Sequence, residues 1–186
     1  SDTEVAVHLY EDHGESFCNR LNGMFSLAIW DGSARRLILA RDRFGKKPLY
    51  YARTPGGGLV FASELKALRP LLEAAGGHWE LRPQGIADYL SLGCVPQPET
   101  VFRGVEALPP GCTLTFDGQK TRVRSYWSLP YTGKQRMSYP AALERTRELV
   151  AEAVRSRLHA DVPLGVFLSG GVDSSVIACE AAKLAG

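Results

Sequence analysis

Long apolar runs are missing from this chain. No stretch of its 186 residues approaches the ~20 apolar positions that a bilayer-spanning helix needs. An excess of one charge is missing too: 22 basic and 20 acidic side chains leave a formal net charge of +2. That near-balance argues against nucleic acid or an anionic membrane as the main partner. Cysteine is sparse, and Cys18, Cys94, Cys112 and Cys179 form no CxxC pair. Neither zinc ligation nor a thioredoxin motif is therefore indicated. The opening residues Ser1 to Glu4 are polar and acidic, unlike a secretory signal. The four cysteines are accordingly expected to be reduced structural thiols, and the location cytoplasmic. Internal repeats, low-complexity tracts and a GxxxxGK[ST] loop are absent as well. The remaining composition, 45% hydrophobic and 23% charged, is that of a globular chain. It suffices for one ordinary domain or two small pieces. The first residue is not Met, which allows for upstream processing or truncation.

The first half reads as strand-rich. Residues 4–11 and 16–22 show no decisive period. Residues 23–30 (GMFSLAIW) form a short apolar run, read as a buried strand. Asp31-Gly32 marks a hairpin turn, and residues 36–41 return as its partner. A loop over 42–48 precedes a strand at 49–52, and the turn TPGGG at 54–58 precedes another at 59–62. Several strands are apolar enough for burial on both faces, as in a layered sandwich. Ser63 is a candidate cap for a helix over 64–72, with Leu65, Leu68 and Leu72 at helical spacing. Pro83 to Leu92 predicts a second helix, ended by Gly93. Residues 94–110 carry four prolines and read as extended or loop-like. Residues 113–127 predict a hairpin around Asp117-Gly118, in which Tyr126 and Trp127 pack. Residues 129–137 read as a linker.

The last stretch changes character. Ser138 and Pro140 open a helix expected to run to about Leu158, with Leu143, Leu149, Val150, Ala153, Val154 and Leu158 on one face. Residues 162–168 predict a short buried strand, and 176–184 a helix of small residues. Between them lies Ser169-Gly170-Gly171-Val172-Asp173-Ser174-Ser175. Two adjacent glycines let the backbone turn sharply and approach a ligand. The helix that follows aims unpaired N–H groups at the loop, favouring an anion such as pyrophosphate. Ser169, Ser174 and Ser175 add hydroxyl donors. Asp173 would repel phosphate unless a cation intervenes, which points to Mg2+ bridging the two.

SGGVDSS after DVPLGVFL resembles the pyrophosphate loop of asparagine synthetases and related ATP pyrophosphatases. LNGMFSLAIWD, LILARDRFGKKPLYY and FASELKAL resemble the later part of their class II glutaminase domain. ALPPG and RSYW resemble the join between the two. The resemblance covers essentially the whole chain. It implies an α+β first part, an incomplete αββα N-terminal-nucleophile glutaminase over 1–128. It also implies a linker at 129–137 and the start of an α/β PP-loop ATP pyrophosphatase domain over 138–186. The implied reaction is ATP-dependent amidation of aspartate to asparagine with ammonia from glutamine, through β-aspartyl-AMP, releasing AMP and pyrophosphate.

The resemblance also assigns residues. Asp2, in the opening S-D-T-E, corresponds to the family's Asp that binds the α-amino group of glutamine; a carboxylate suits an ammonium. Leu168 corresponds to a backbone contact with the adenine nucleotide. Ser169, Gly170, Gly171 and Ser174 correspond to the phosphate cradle of ATP, and Asp173 to the metal ligand. Glutamine, aspartate and ATP are thus the implied small-molecule partners, with neither nucleic acid nor membrane, and with room for a homodimer. The family's nucleophilic Cys lies upstream of anything in this sequence, so no catalytic residue is assigned. The chain is read as an internal fragment, inactive alone and with apolar surface left uncovered in its last part. A related ligase acting on another carboxylate (β-lactam-forming or polysaccharide-modifying) and a non-catalytic nucleotide-binding homologue stay open as alternatives.

Other features carry less. Ser1 as an N-terminal nucleophile is disfavoured, because the segment it matches is internal to the family's domain. Arg41-Asp42-Arg43 with Lys46-Lys47 reads as a loop of paired charges rather than a basic patch. Gly56 to Gly58 is a turn. His8, His13, His78 and His159 are scattered, and Glu64 and Asp88 have no evident carboxylate partner.

Overall fold

The computed structural model describes residues 2–185, with side chains from Thr3 to Leu184. It divides into two compact units, residues 1–129 and 130–186.

The first unit opens with helix α1 (Asp2–His13) and a 3₁₀ segment, Gly14–Arg20, where the sequence shows no clear period. Strands β1 (Ser26–Asp31) and β2 (Arg36–Arg41) form the expected hairpin. Asp31 shapes its turn by accepting the Ala34 N–H at 2.8 Å. Strands β3 (Tyr50–Arg53) and β4 (Leu59–Ala62) make the next antiparallel pair. Helices α2 (Leu65–Ala74) and α3 (Pro83–Leu92) follow. Strands β5 (Val105–Ala107), β6 (Cys112–Phe116) and β7 (Thr121–Ser125) complete the unit. They form a four-stranded sheet in the order β1-β2-β6-β7 and a three-stranded sheet in the order β4-β3-β5.

Strand parity gives the layering. In β2, Leu37 and Leu39 join Leu49, Tyr51, Leu108, Cys112 and Leu114 in the cluster between the sheets. The alternate residues Ile38 and Ala40 face the other way, onto Phe17 and Cys18 and the partly buried Leu9 and Tyr10 of α1. In β3, Tyr51 points inward while Ala52 packs with Leu68 and Leu72 of α2. Since successive strand side chains alternate faces, each sheet is covered on both sides. The order is helix, sheet, sheet, helix: the αββα layering that the family resemblance implies. At about 25 cal/mol per Å², each fully buried Leu or Phe contributes roughly 2 kcal/mol relative to exposure.

Local signals explain most boundaries. Pro83 starts α3, and Gly93 ends it in the left-handed region at φ +72°, where glycine lacks the Cβ penalty. Asp117 accepts the N–H groups of Gln119 at 2.9 Å and Lys120 at 2.7 Å, closing the β6–β7 turn. One expectation fails here. Ser63 does not cap α2: the N-cap position is Glu64, with no side-chain cap bond. Within the proline-rich segment, expected to be extended or loop-like, Val105–Ala107 is an extended strand that pairs with Tyr50–Ala52.

The second unit contains α4 (Tyr139–Arg155) and α5 (Val172–Ala185), which pack together through the buried Val154 and Ala181. Ser138 caps α4 as expected, its hydroxyl accepting from Ala141 N at 3.4 Å. The buried strand expected at 162–168 is not observed. These residues pair with no strand and are exposed, Phe167 at 98%. A strand needs a neighbour to satisfy its N–H and C=O groups, and this unit has none among its described residues. The apolar surface expected to lie uncovered does so, at Val162, Leu164, Val166 and Leu168.

Candidate functional site

The Gly-rich loop and the start of α5 form one local structure. Gly170 turns the chain at φ +80°. Ser175 N then donates to Gly171 O at 3.1 Å, the first backbone bond of the helix. The N–H groups of Val172, Asp173 and Ser174 precede that bond and have no intrahelical acceptor. α5 therefore begins four residues earlier than the expected 176, and Asp173 and Ser174 lie in its first turn. The Ser169 and Ser174 hydroxyls are 2.9 Å apart. Ser174 also bonds Gly171 O at 3.1 Å, and the Ser175 hydroxyl bonds the same carbonyl at 2.8 Å.

The structure thus gathers Ser169, Gly170, Gly171, Asp173 and Ser174 around one helix start, with Leu168 exposed just before them. A Cβ on Gly170 would meet nothing within 4 Å, so the turn's outer side is open. No group of three or more His, Cys, Asp and Glu that could hold a metal exists among the described residues. A lone Asp173 carboxylate nonetheless fits Mg2+, which keeps several waters and takes one or two carboxylates plus substrate phosphate oxygens.

In the first unit, a cleft of about 680 Å³ opens between α1 and β1, lined by Thr3, Ala6, residues 21–28 and Lys47. The Asp2 side chain, the expected glutamine ligand, lies outside the described residues.

Beside the cleft lies an arrangement that the charge pattern conceals. Arg41 and Asp42 are 5% and 1% exposed. The Arg41 guanidinium donates to the carbonyls of Lys47 (2.8 Å), Gly45 (2.8 Å) and Leu108 (2.7 Å), and to Gln97 Oε1 (2.8 Å). The Asp42 carboxylate accepts from the N–H groups of Phe44 (3.1 Å), Lys46 (3.0 Å) and Lys47 (3.0 Å). Burial alone would raise the Asp42 pKa. The N–H donors of Lys47, Lys46 and Phe44 outweigh it and hold the carboxyl below the usual range. The loop is present, but its charges are not paired with one another as expected: Arg41 bonds backbone carbonyls and Gln97, and Asp42 bonds backbone N–H groups. Tyr126 and Trp127 pack as expected. The Tyr126 hydroxyl donates to Arg41 O at 2.8 Å, and the Trp127 ring lies 5.0 Å from that of Phe44.

The thiols divide. Cys18 and Cys112 are buried and fit the structural reading, whereas Cys94 and Cys179 are exposed and do not. The four histidines are exposed and share no cluster. No helix among the described residues is long and apolar enough to cross a membrane.

The first unit has the helix–sheet–sheet–helix layering, and the second has a Gly-rich loop wound onto a helix start. The family profile described as "Glutamine amidotransferase domain" matches residues 1–127, and the chain belongs to that family. A second profile, "Asparagine synthase", matches residues 145–186. Over 185 residues the chain is 36% identical to asparagine synthetase (glutamine-hydrolyzing) 3 of Bacillus subtilis (strain 168), covering 98% of this chain and 29% of that protein. It is 38% identical over 201 residues to the same organism's asparagine synthetase (glutamine-hydrolyzing) 2, covering 98% and 26%. Amidase chyE of Penicillium rubens is 36% identical over 190 residues, covering 99% and 27%. The chain therefore spans less than a third of the length of these relatives.

Proposed function

We propose that the protein containing this chain makes asparagine from aspartate, with glutamine as nitrogen donor and ATP as activating substrate. The observation that carries the reading is the loop from Ser169 to Ser174, wound onto the start of α5. Its backbone N–H groups and two hydroxyls form an anion cradle at the positive end of a helix dipole. Its first-turn carboxylate supplies the acidic group that a metal-bridged phosphate requires. Two family profiles in one chain, one for amide hydrolysis and one for synthesis, support the pairing of half-reactions.

In this reading Ser169, Gly170, Gly171 and Ser174 hold the β- and γ-phosphates of ATP, and the Leu168 backbone meets the adenine nucleotide. Asp173 orients Mg2+, which when bound neutralises charge on the departing pyrophosphate. The aspartate side-chain carboxylate attacks the α-phosphorus, forming β-aspartyl-AMP and releasing pyrophosphate. Ammonia released from glutamine displaces AMP. Donors fixed before the reaction stabilise the leaving group without reorganising. In the first unit, Asp2 takes the α-ammonium of glutamine. The boundaries read from sequence, 1–128, 129–137 and 138–186, serve as the domain division.

The test is product analysis on the full-length protein. AMP and pyrophosphate are expected in step with asparagine, and Asp173→Ala abolishes both while glutamine hydrolysis continues. Amidation that survives Asp173→Ala contradicts the site. A second reading, a ligase for another carboxylate, is favoured by one observation: a relative as similar as the asparagine synthetases is named an amidase. AMP formation with a different acid in place of aspartate would select it.

A further inference from the structure

We infer that Arg41 and Asp42 are positioning residues for glutamine use: they fix the loop 43–47 and so hold Lys47 in place where it lines the cleft between α1 and β1. The inference deepens the function proposed above and rests on its assignment of glutamine to the first unit.

Burying two ionised side chains is costly. Well-packed apolar residues in their place are often neutral or stabilising. Arg41 and Asp42 are nevertheless almost wholly buried, and their hydrogen bonds converge on one short loop. Lys47 is held from both sides: its N–H donates to Asp42 and its carbonyl accepts from Arg41. Lys47 lines the cleft. The Asp42 N–H donates at 2.9 Å to the carbonyl of Phe25, which lines the same cleft just before β1. Asp42 therefore ties two cleft-lining residues, Phe25 and Lys47, together through its own backbone and carboxylate.

The packing leaves the loop little freedom. Gly45 has φ +62°, and a Cβ there would lie 2.9 Å from Pro110 Cγ and 3.0 Å from Arg41 Cζ. The Asp42 carbonyl accepts from Gly45 N at 3.0 Å and Gly111 N at 2.9 Å, so the far side of the loop is fixed as well. Neither the Arg41 nor the Asp42 side chain lines the cleft, so both act through Lys47 and Phe25. The substrate class that such a lining serves is an amino acid bearing a primary amide, held in one pose for attack on its amide carbon.

The experiment compares glutamine-dependent with ammonia-dependent synthesis in the full-length protein. Asp42→Asn keeps the side-chain shape but removes the charge and sets an NH2 group against backbone donors. We expect the glutamine KM to rise about tenfold, since small misplacements of a bound substrate cost that much or more. Ammonia-dependent synthesis should stay within about twofold, because it bypasses the cleft. Gln97→Ala, which removes one exposed acceptor of Arg41, is the milder variant should Asp42→Asn fail to fold. There we expect a glutamine KM raised about threefold, with the ammonia rate unchanged. Unchanged glutamine kinetics in a folded variant, or equal loss of both activities, overturns the inference. Wild-type protein that cannot hydrolyse glutamine overturns the proposed function itself, and this inference with it.

Discussion

Ser169 and Ser174 meet hydroxyl to hydroxyl at 2.9 Å, so the two ends of the glycine turn satisfy each other. An anion entering the turn meets these hydroxyls beside the free N–H groups that open α5. Ser174→Ala in the full-length protein removes a donor from the helix start. The KM for ATP should rise about tenfold, the worth of one hydrogen bond to a charged group. Glutamine hydrolysis should be unaffected. Steady-state kinetics with ATP as the varied substrate checks this, and an unchanged KM contradicts it.

Gly111 and Gly118 make a matched pair for backbone strain. Both have positive φ, +65° and +93°. A Cβ at Gly111 would sit 2.6 Å from Trp127 O, whereas at Gly118 it meets nothing within 4 Å. Gly118→Ala should cost about 1 kcal/mol from the left-handed conformation alone. Gly111→Ala should cost roughly 3–5 kcal/mol, because the Trp127 backbone must move and its N–H bond to Gly111 O is disturbed. Urea unfolding followed by tryptophan fluorescence separates the two.

Thiol chemistry should report burial. The exposed Cys94 and Cys179 should react with an aromatic disulfide reagent in the native protein. Cys18, its thiol pushed up to about 12 by burial, and the buried Cys112 should react only on unfolding. Titration before and after denaturant should count two thiols among these four sites, then all four. Rapid native labelling of Cys18 would mean that α1 does not cover β2 as described.

Asp42 sets a pH dependence. Its folded pKa lies below the ordinary Asp value of about 3.9, so its ionised form favours the folded state. The contribution is fully present above the unfolded pKa and is lost as pH falls through the folded one. Asp42→Asn should lower stability at pH 7 and flatten the acid limb below about pH 4. Thermal melts across pH 2–7 test this; an acid limb as steep as wild type contradicts it.

The legible parts of the fold were those written in local chemistry. Asp31-Gly32 and Asp117-Gly118 marked hairpins because Asp side chains close turns on nearby N–H groups. Pro83 and Gly93 bracketed α3 because one fits a helix start and the other a left-handed end. Helix α1 was missed because its apolar residues do not segregate: Ala6 is buried while Val5 and Val7 are exposed. Strand β5 hid among prolines, since its three residues are a strand only beside Tyr50–Ala52. Residues 162–168 have strand composition, but composition cannot supply a neighbouring strand.

The turn at 169–175 is legible because its glycines and serines act locally, on the backbone and hydroxyls beside them. Its early helix start is not, since no residue before Val176 has a strong helical signature. The Arg41–Asp42 segment reads from sequence as a loop of paired charges, whereas both side chains are buried and bonded mainly to backbone. Its burial depends on Leu108, 67 positions away along the chain, and no short window contains that.

The central claim is that the turn from Ser169 to Ser174 holds the phosphates of ATP. Its most direct test is a crystal structure of the full-length protein with a non-hydrolysable ATP analogue and Mg2+. The account predicts the β- and γ-phosphates within hydrogen-bond distance of the N–H groups opening α5, with the metal between them and Asp173. A triphosphate ordered anywhere else contradicts it.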